Sequence, residues 1–130
     1  MDDALHYYDL GFSEIFIYQN YVVSKIKEGE AILLKHNVAY GKVIRDHFTD
    51  RNLVLISNRQ HSFSIDPLLY KEVVKLPNLK GIAVVTYDST KLKSALFEKI
   101  FASIPFEIFD SVDEAVVWAN DVVASHKTSN

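Results

Sequence analysis

Cysteine is absent from this chain of 130 residues. Its absence excludes a disulfide framework, cysteine-ligated zinc, iron–sulfur clusters and a thiol nucleophile, and it agrees with a reducing, cytoplasmic compartment. Glycine and proline are also scarce, at four and three residues, and they do not cluster into a linker. Because this length is typical of one domain, we expect a single domain over residues 1–130, with its core in 10–124 and flexible ends.

An excess of positive charge is lacking too, since 14 lysines and arginines face 17 aspartates and glutamates, for a formal net charge of -3. Nucleic-acid binders usually carry a basic stripe, so we expect no nucleic-acid partner. No apolar run approaches the roughly 20 residues of a membrane-spanning helix. The acidic start of the chain also lacks the apolar segment of a signal peptide. The sequence therefore predicts no transmembrane segment.

None of the common catalytic motifs occurs. The chain has no G-x-S-x-G elbow, Walker loop, G-x-G-x-x-G or H-E-x-x-H. On one helix, His36 and His47 would lie about 16 Å apart, too far to share a metal ion. Ser, His and Asp do occur together in one loop, but a catalytic triad depends on geometry that composition does not supply. We expect no enzymatic activity, no cofactor and no metal site.

The apolar residues that are present begin with a pair of strands. Glu14–Tyr18 and Tyr21–Ile26 are rich in β-branched and aromatic residues, and Gln19-Asn20 is a short polar turn between them. Such runs predict an antiparallel hairpin. Both faces carry large apolar groups, which leaves two interpretations: a helix covers the second face, or that face joins a partner or a second copy in a homodimer.

Buried strands and amphipathic helices alternate after the hairpin. Leu53–Ile56 and Ile82–Val85 are continuous apolar runs, typical of strands covered on both faces, and Phe106–Phe109 is a third short strand. The order ββαβαβαβα predicts an α/β fold whose mixed sheet opens with the hairpin and continues as parallel βαβ units.

Four segments have helical spacing or helix-start signals. The first runs from about Asn37, and the second opens at Asp66-Pro67 and ends before Pro77. The last begins with the capping box Ser111–Glu114. The third follows Asp88, and its apolar stripe is expected to face the core with these members: Leu92, Ala95, Leu96 and Ile100.

The loop before the second helix is the unusual stretch. It spans nine residues from Asn58 to Asp66, where such connections usually have about 2–6, and it leaves the end of a parallel strand where α/β sheets bind ligands. One interpretation is an anion site with Arg59 as the charged fork. A second is phosphorylation of Ser62 or Ser64, and a third is a structural loop in which Arg59 pairs with a surface carboxylate. The candidate binding residues are Asn58, Arg59, His61, Ser62 and Ser64.

Four parts of the chain match the pattern of one known family, namely the hairpin, the strand-loop-helix Leu53–Leu76, the run Leu79–Val85 and the ending Phe106–Trp118. In these parts the chain resembles the SpoIIAA-like proteins of the STAS superfamily (sulfate transporters and anti-sigma factor antagonists). The resemblance implies a non-enzymatic regulatory module that binds a protein partner near the start of the second helix, switched there by serine phosphorylation. The family's Asp-Ser-Ser-Gly-like motif is missing, because this chain has Ser62-Phe63-Ser64-Ile65 at that place. Ser62 and Ser64 are therefore candidates by position only.

A related branch of the family resembles lipid-carrier domains, which gives an alternative function. The chain would then bind a small molecule or a lipid. That alternative predicts a cavity lined by aromatic residues, namely Phe48, Phe63, Phe97 and Phe101.

Overall fold

The computed structural model describes residues 3–59, 64–66 and 69–127. Within these residues the chain forms an α/β structure with a six-stranded mixed sheet, a separate strand pair and four helices. The strands are β1 (His6–Asp9), β2 (Ser13–Ile17), β3 (Tyr21–Ile26), β4 (Ala31–Ile32), β5 (Leu53–Asn58), β6 (Ser64–Ile65), β7 (Leu79–Val85) and β8 (Phe106–Phe109). The helices are α1 (Asn37–His47), α2 (Leu69–Val73), α3 (Ser89–Lys99) and α4 (Val112–Lys127).

The main sheet has the strand order β1-β2-β3-β5-β7-β8. The first three strands are antiparallel, and β3, β5, β7 and β8 are parallel to one another. This confirms the predicted hairpin, the three helix-linked parallel strands and the mixed sheet. The structure adds β1, which pairs with β2 along the edge that the hairpin alone would leave open.

Helices cover both faces of the sheet. On one face, α4 packs Ala115, Ala119 and Val123 against the parallel strands. On the other face, α1, α2 and α3 cover a second core cluster with members such as Val43 and Tyr70. Because parallel strands are buried on both faces, the predicted continuous apolar runs are confirmed as the central strands.

The predicted capping box at the start of α4 is confirmed by the hydrogen bond from a backbone N–H to the capping serine. The backbone N–H of Glu114 donates to the Ser111 hydroxyl at 3.2 Å, which satisfies one of the unpaired donors at the helix start. The Ser111 hydroxyl lies 3.4 Å from the Glu114 carboxylate.

The orientation of α3 contradicts the prediction that its apolar stripe faces the core. Ala95 is fully buried, but Leu92 is 39%, Leu96 52% and Ile100 75% exposed. The helix instead turns Glu98 inward, at 2% exposure. At 3.6 residues per turn, a helix that buries Glu98 places residues two positions before and after it on the opposite side.

The long connection after β5 is partly regular. Ser64–Ile65 forms β6, which pairs in parallel with β4, and the Asp66 N–H donates to the Ile32 carbonyl at 3.0 Å. Helix α2 is described over Leu69–Val73 and ends before the predicted Leu76, although hydrogen-bonded turns carry the chain on to Leu76. The predicted helix start at Pro67 lies outside the described residues.

Candidate functional site

A cavity of about 300 Å³ lies between α1, α2 and the sheet. Its volume is at the lower end of the range of small-ligand pockets, about 300–1,000 Å³. Apolar side chains supply most of its wall, and a few polar side chains interrupt them. The wall consists of Ser24, Ile26, Ile32, Asn37, Val38, Tyr40, Gly41, Ile44, Arg45, Leu55, Ser57, Leu69, Tyr70, Glu72, Val73, Leu76 and Ile82.

Hydroxyl groups on one side of the wall are held in a short hydrogen-bonded chain. The hydroxyls of Ser24 and Tyr40 lie 3.0 Å apart, and Ser24 is 3.1 Å from the buried hydroxyl of Ser13. Burial raises the pKa of Tyr40, so its hydroxyl stays protonated at neutral pH. These groups are neutral, and each can donate to or accept from a ligand.

A buried ion pair stands behind the wall. The Arg59 guanidinium donates to both carboxylate oxygens of Glu98 at 2.6 Å, and these residues are only 3% and 2% exposed. Arg59 also donates to the hydroxyls of Tyr70, at 3.1 Å, and Ser57, at 3.2 Å. The Tyr70 hydroxyl in turn donates to Glu98. Both Tyr70 and Ser57 line the cavity, so the ion pair positions two of its polar side chains.

The pKa values of both Arg59 and Tyr70 are raised. Burial acts to lower the pKa of Arg59, but its hydrogen bonds and charge contact with Glu98 outweigh burial and raise that pKa overall. Burial raises the pKa of the Tyr70 hydroxyl well above its usual range. The arginine is therefore a permanent cation and the tyrosine a permanent donor.

Two asparagines have polar atoms without a hydrogen-bond partner among the described residues. Both the Nδ2 and the Oδ1 atoms of Asn37 are buried and unpartnered, and so is Oδ1 of Asn58. Buried polar groups in folded proteins are nearly always hydrogen-bonded. Asn37 lies in the cavity wall, so it can add a donor and an acceptor for a molecule bound there.

Of the five binding residues that were predicted in the loop, the structure describes Asn58, Arg59 and Ser64. Asn58 ends β5 and is buried, and Arg59 is engaged with Glu98. Ser64 lies in β6, whereas His61 and Ser62 lie outside the described residues. An anion site at Arg59 would require an anion that competes with a bidentate carboxylate. The neighbouring Ser57, which lines the cavity, was not predicted as a site residue.

The cavity is also not the one that was predicted from the aromatic residues. Phe48, Phe97 and Phe101 are absent from its wall, and Phe63 lies outside the described residues. Phe48 is instead core, and Phe97 is exposed. Sequence reasoning missed the true wall because its residues come from six elements, and none of them stands out within its own segment.

Two histidines that are distant in sequence meet at the end of α1. The rings of His6 and His47 have centroids 4.4 Å apart, and the Tyr8 hydroxyl lies 2.5 Å from Nε2 of His47. Burial and the neighbouring His6 lower the pKa of His47. In the described part of the chain, no group of three or more metal-ligating side chains comes together.

Comparison with known proteins gave no match to a family model, to a curated protein or to a solved structure. Among the described helices, none combines the length and the apolar character that a bilayer crossing requires.

Proposed function

We propose that the chain is a non-enzymatic binding protein that takes up a small, mainly apolar molecule in the cavity between α1 and α2. The observation that carries this proposal is the composition of the wall. Aliphatic side chains surround the space, while the hydroxyls of Tyr40 and Tyr70 and the amide of Asn37 lie at separate points of it. Ligand sites have this character, with an apolar wall and a few placed polar groups.

Exposed apolar side chains near the cavity support this proposal. Ile32 and Asn37 both line the cavity, and the chain between them carries Leu33 and Leu34, which are about half exposed. Val38, itself part of the wall, is 75% exposed. Apolar groups clustered at the surface commonly mark an interaction site, and here they would ease the transfer of an apolar ligand.

The proposal is tested by filling the cavity. Leu55→Trp places a larger side chain in the wall, and Val117→Trp on the exposed face of α4 is the matched control. The probe is the neutral apolar dye N-phenyl-1-naphthylamine, whose fluorescence rises on burial. We expect binding by the wild type and the control and a loss of at least tenfold in affinity for Leu55→Trp.

Native mass spectrometry of freshly purified protein complements this test, because a retained small molecule would appear as an added mass. Absence of dye binding to the wild type, or equal binding by a folded Leu55→Trp variant, would overturn the proposal.

A protein-binding module of the STAS type is the second candidate function, and the exposed face of α3 favours it. Leu92, Leu96, Phe97 and Ile100 lie together on that face, and such a patch on a surface helix is typical of a partner site. The hairpin followed by parallel strands supports the resemblance to SpoIIAA-like proteins. The cytoplasmic location and a homodimer through the hairpin stay predictions.

A phosphorylation switch at Ser62 or Ser64 belongs to this second proposal. Ser64→Asp adds negative charge two residues before Asp66, and Ser64→Ala is its control. We expect Ser64→Asp to change which proteins are captured from a lysate, while Ser64→Ala captures the wild-type set. If aspartate variants of both serines capture that same set, there is no switch in this loop.

A further inference from the structure

Helix α1 presents three wall residues in a single row. Asn37, Gly41 and Arg45 are spaced by four residues, so they lie one above another on one face of the helix, and all three line the cavity. The row therefore contains an amide, a gap without a side chain and a cation.

Gly41 allows the guanidinium of Arg45 to lie across the helix. A Cβ atom at Gly41 would be 2.9 Å from Nη1, 3.2 Å from Nη2 and 3.3 Å from Cζ of Arg45. The side chain thus reaches back toward the start of α1, the direction that helical side chains favour. The charge of Arg45 is held level with Gly41, beside the cavity, although the residue itself is exposed.

The carboxylates of Asp46 and Glu72 form ion pairs with lysines rather than with Arg45. Asp46 forms its ion pair with Lys42 at 2.9 Å, and Glu72 of the cavity wall pairs with Lys75 at 3.1 Å. Among the described residues, no hydrogen bond or ion pair engages Arg45.

The amide of Asn37 lies within reach of the same point. Asn37 is four residues before Gly41, which corresponds to about 6 Å along the helix axis. Both polar atoms of its side chain lack a partner among the described residues. A carboxylate between the two groups could accept one hydrogen bond from the amide and one or two from the guanidinium.

We propose that the ligand of this cavity is a carboxylate-headed amphiphile, whose head group is bound by Arg45 and Asn37 and whose apolar tail lies among the aliphatic residues. This inference rests on the proposed binding function. Arginine favours a carboxylate because its planar N–H groups match the two oxygens. An amine head group has no such site, since Glu72 is already paired with Lys75.

The test compares three probes with the same tail, namely decanoate, 1-decanol and decylamine, by isothermal titration below their aggregation limits. For the wild type we expect decanoate to bind about tenfold more tightly than decanol, as for a hydrogen bond to a charged group. Arg45→Gln is expected to abolish this preference. Lys71→Gln, which removes an exposed cation of α2 that is not part of the cavity wall, is the control and should keep the preference.

Gly41→Ala tests the head-group site with a variant that is expected to keep the fold intact. The added methyl displaces the guanidinium, because the contact at 2.9 Å is too short, while alanine favours the helix more than glycine does. We expect an unchanged or higher melting temperature together with loss of the decanoate preference.

Each outcome has one meaning. Equal binding of decanoate and decanol by the wild type, tighter binding of decylamine, or an unchanged preference in Arg45→Gln would overturn the carboxylate inference and leave cavity binding in place. If no probe binds and N-phenyl-1-naphthylamine does not bind either, both the inference and the proposed function fail.

Discussion

At the scale of single residues, the ion pair between Arg59 and Glu98 is the most consequential contact. Both side chains are almost completely buried, and Tyr70 and Ser57 satisfy further hydrogen bonds of the pair. A buried ion pair is weak evidence for stability by itself, but removal of one partner leaves an uncompensated charge in the interior. The pair therefore affects the free energy of unfolding most when only one of its two partners is removed.

We expect Glu98→Ala to lower the free energy of unfolding by about 3–5 kcal/mol, because the buried guanidinium of Arg59 loses both hydrogen bonds to the Glu98 carboxylate. The double variant Arg59→Met with Glu98→Leu should recover most of this loss, since it removes both charges. Urea unfolding followed by circular dichroism measures both. A Glu98→Ala variant as stable as the wild type would show that Arg59 reaches solvent or another partner.

His47 makes stability depend on pH. Burial and the neighbouring His6 lower its pKa in the folded protein below the usual 6.5, so the unfolded chain binds a proton more readily. Stability from this group is present above pH 6.5 and is lost as the pH falls through the lower folded pKa.

We therefore expect the wild type to be less stable at pH 5.5 than at pH 7.5, and His47→Gln to show a smaller difference. Chemical unfolding at the two pH values measures this. The same pH dependence in both proteins would assign the effect to other groups.

At the scale of elements, α3 is the helix whose apolar sequence pattern does not match its observed orientation. Its apolar spacing predicts a buried stripe, but the pairing of Glu98 with Arg59 requires that Glu98 face the core. Leu96 and Ile100 are then turned about 200° away from Glu98 around the helix axis. Exposure of these apolar side chains to water is unfavourable, and this supports the proposal that a partner covers the face.

Substitutions on α3 should follow the observed orientation. We expect Leu96→Lys to change stability by less than about 0.5 kcal/mol, as is usual for surface positions. Ala95→Leu should cost about 1–3 kcal/mol, because the added volume has no space in the core. Thermal unfolding measures both, and the reverse ranking would mean that the predicted stripe is buried after all.

At the scale of the whole molecule, strand β1 covers one edge of the sheet. It pairs residue by residue with β2, from His6 opposite Ile17 to Asp9 opposite Glu14. Unpaired strand edges are templates for association with another chain. An edge-to-edge homodimer on the hairpin side of the sheet would therefore join two β1 strands.

Deletion of residues 1–10 should expose β2 and produce concentration-dependent association. Light scattering coupled to size exclusion would detect it, with the full-length chain as the control. A truncated protein that stays folded and monomeric at high concentration would show that the β2 edge is protected by other means.

The sequence alone determined the hairpin, the parallel strands and the start of α4, because these depend on patterns within a few neighbouring residues. Residue spacing sets the strand and helix periods, and Ser111 with Glu114 marks a helix start locally.

Only the tertiary structure decided the cavity, the row of wall residues on α1, the pairing of Arg59 with Glu98 and the contact of His6 with His47. Most of these features bring together residues that are far apart in the sequence, as the separation of 39 positions between Arg59 and Glu98 illustrates. A charged residue in an amphipathic helix is ordinarily expected to face solvent. Glu98 faces inward because a buried guanidinium from another element requires a counter-charge, and no local pattern carries that information.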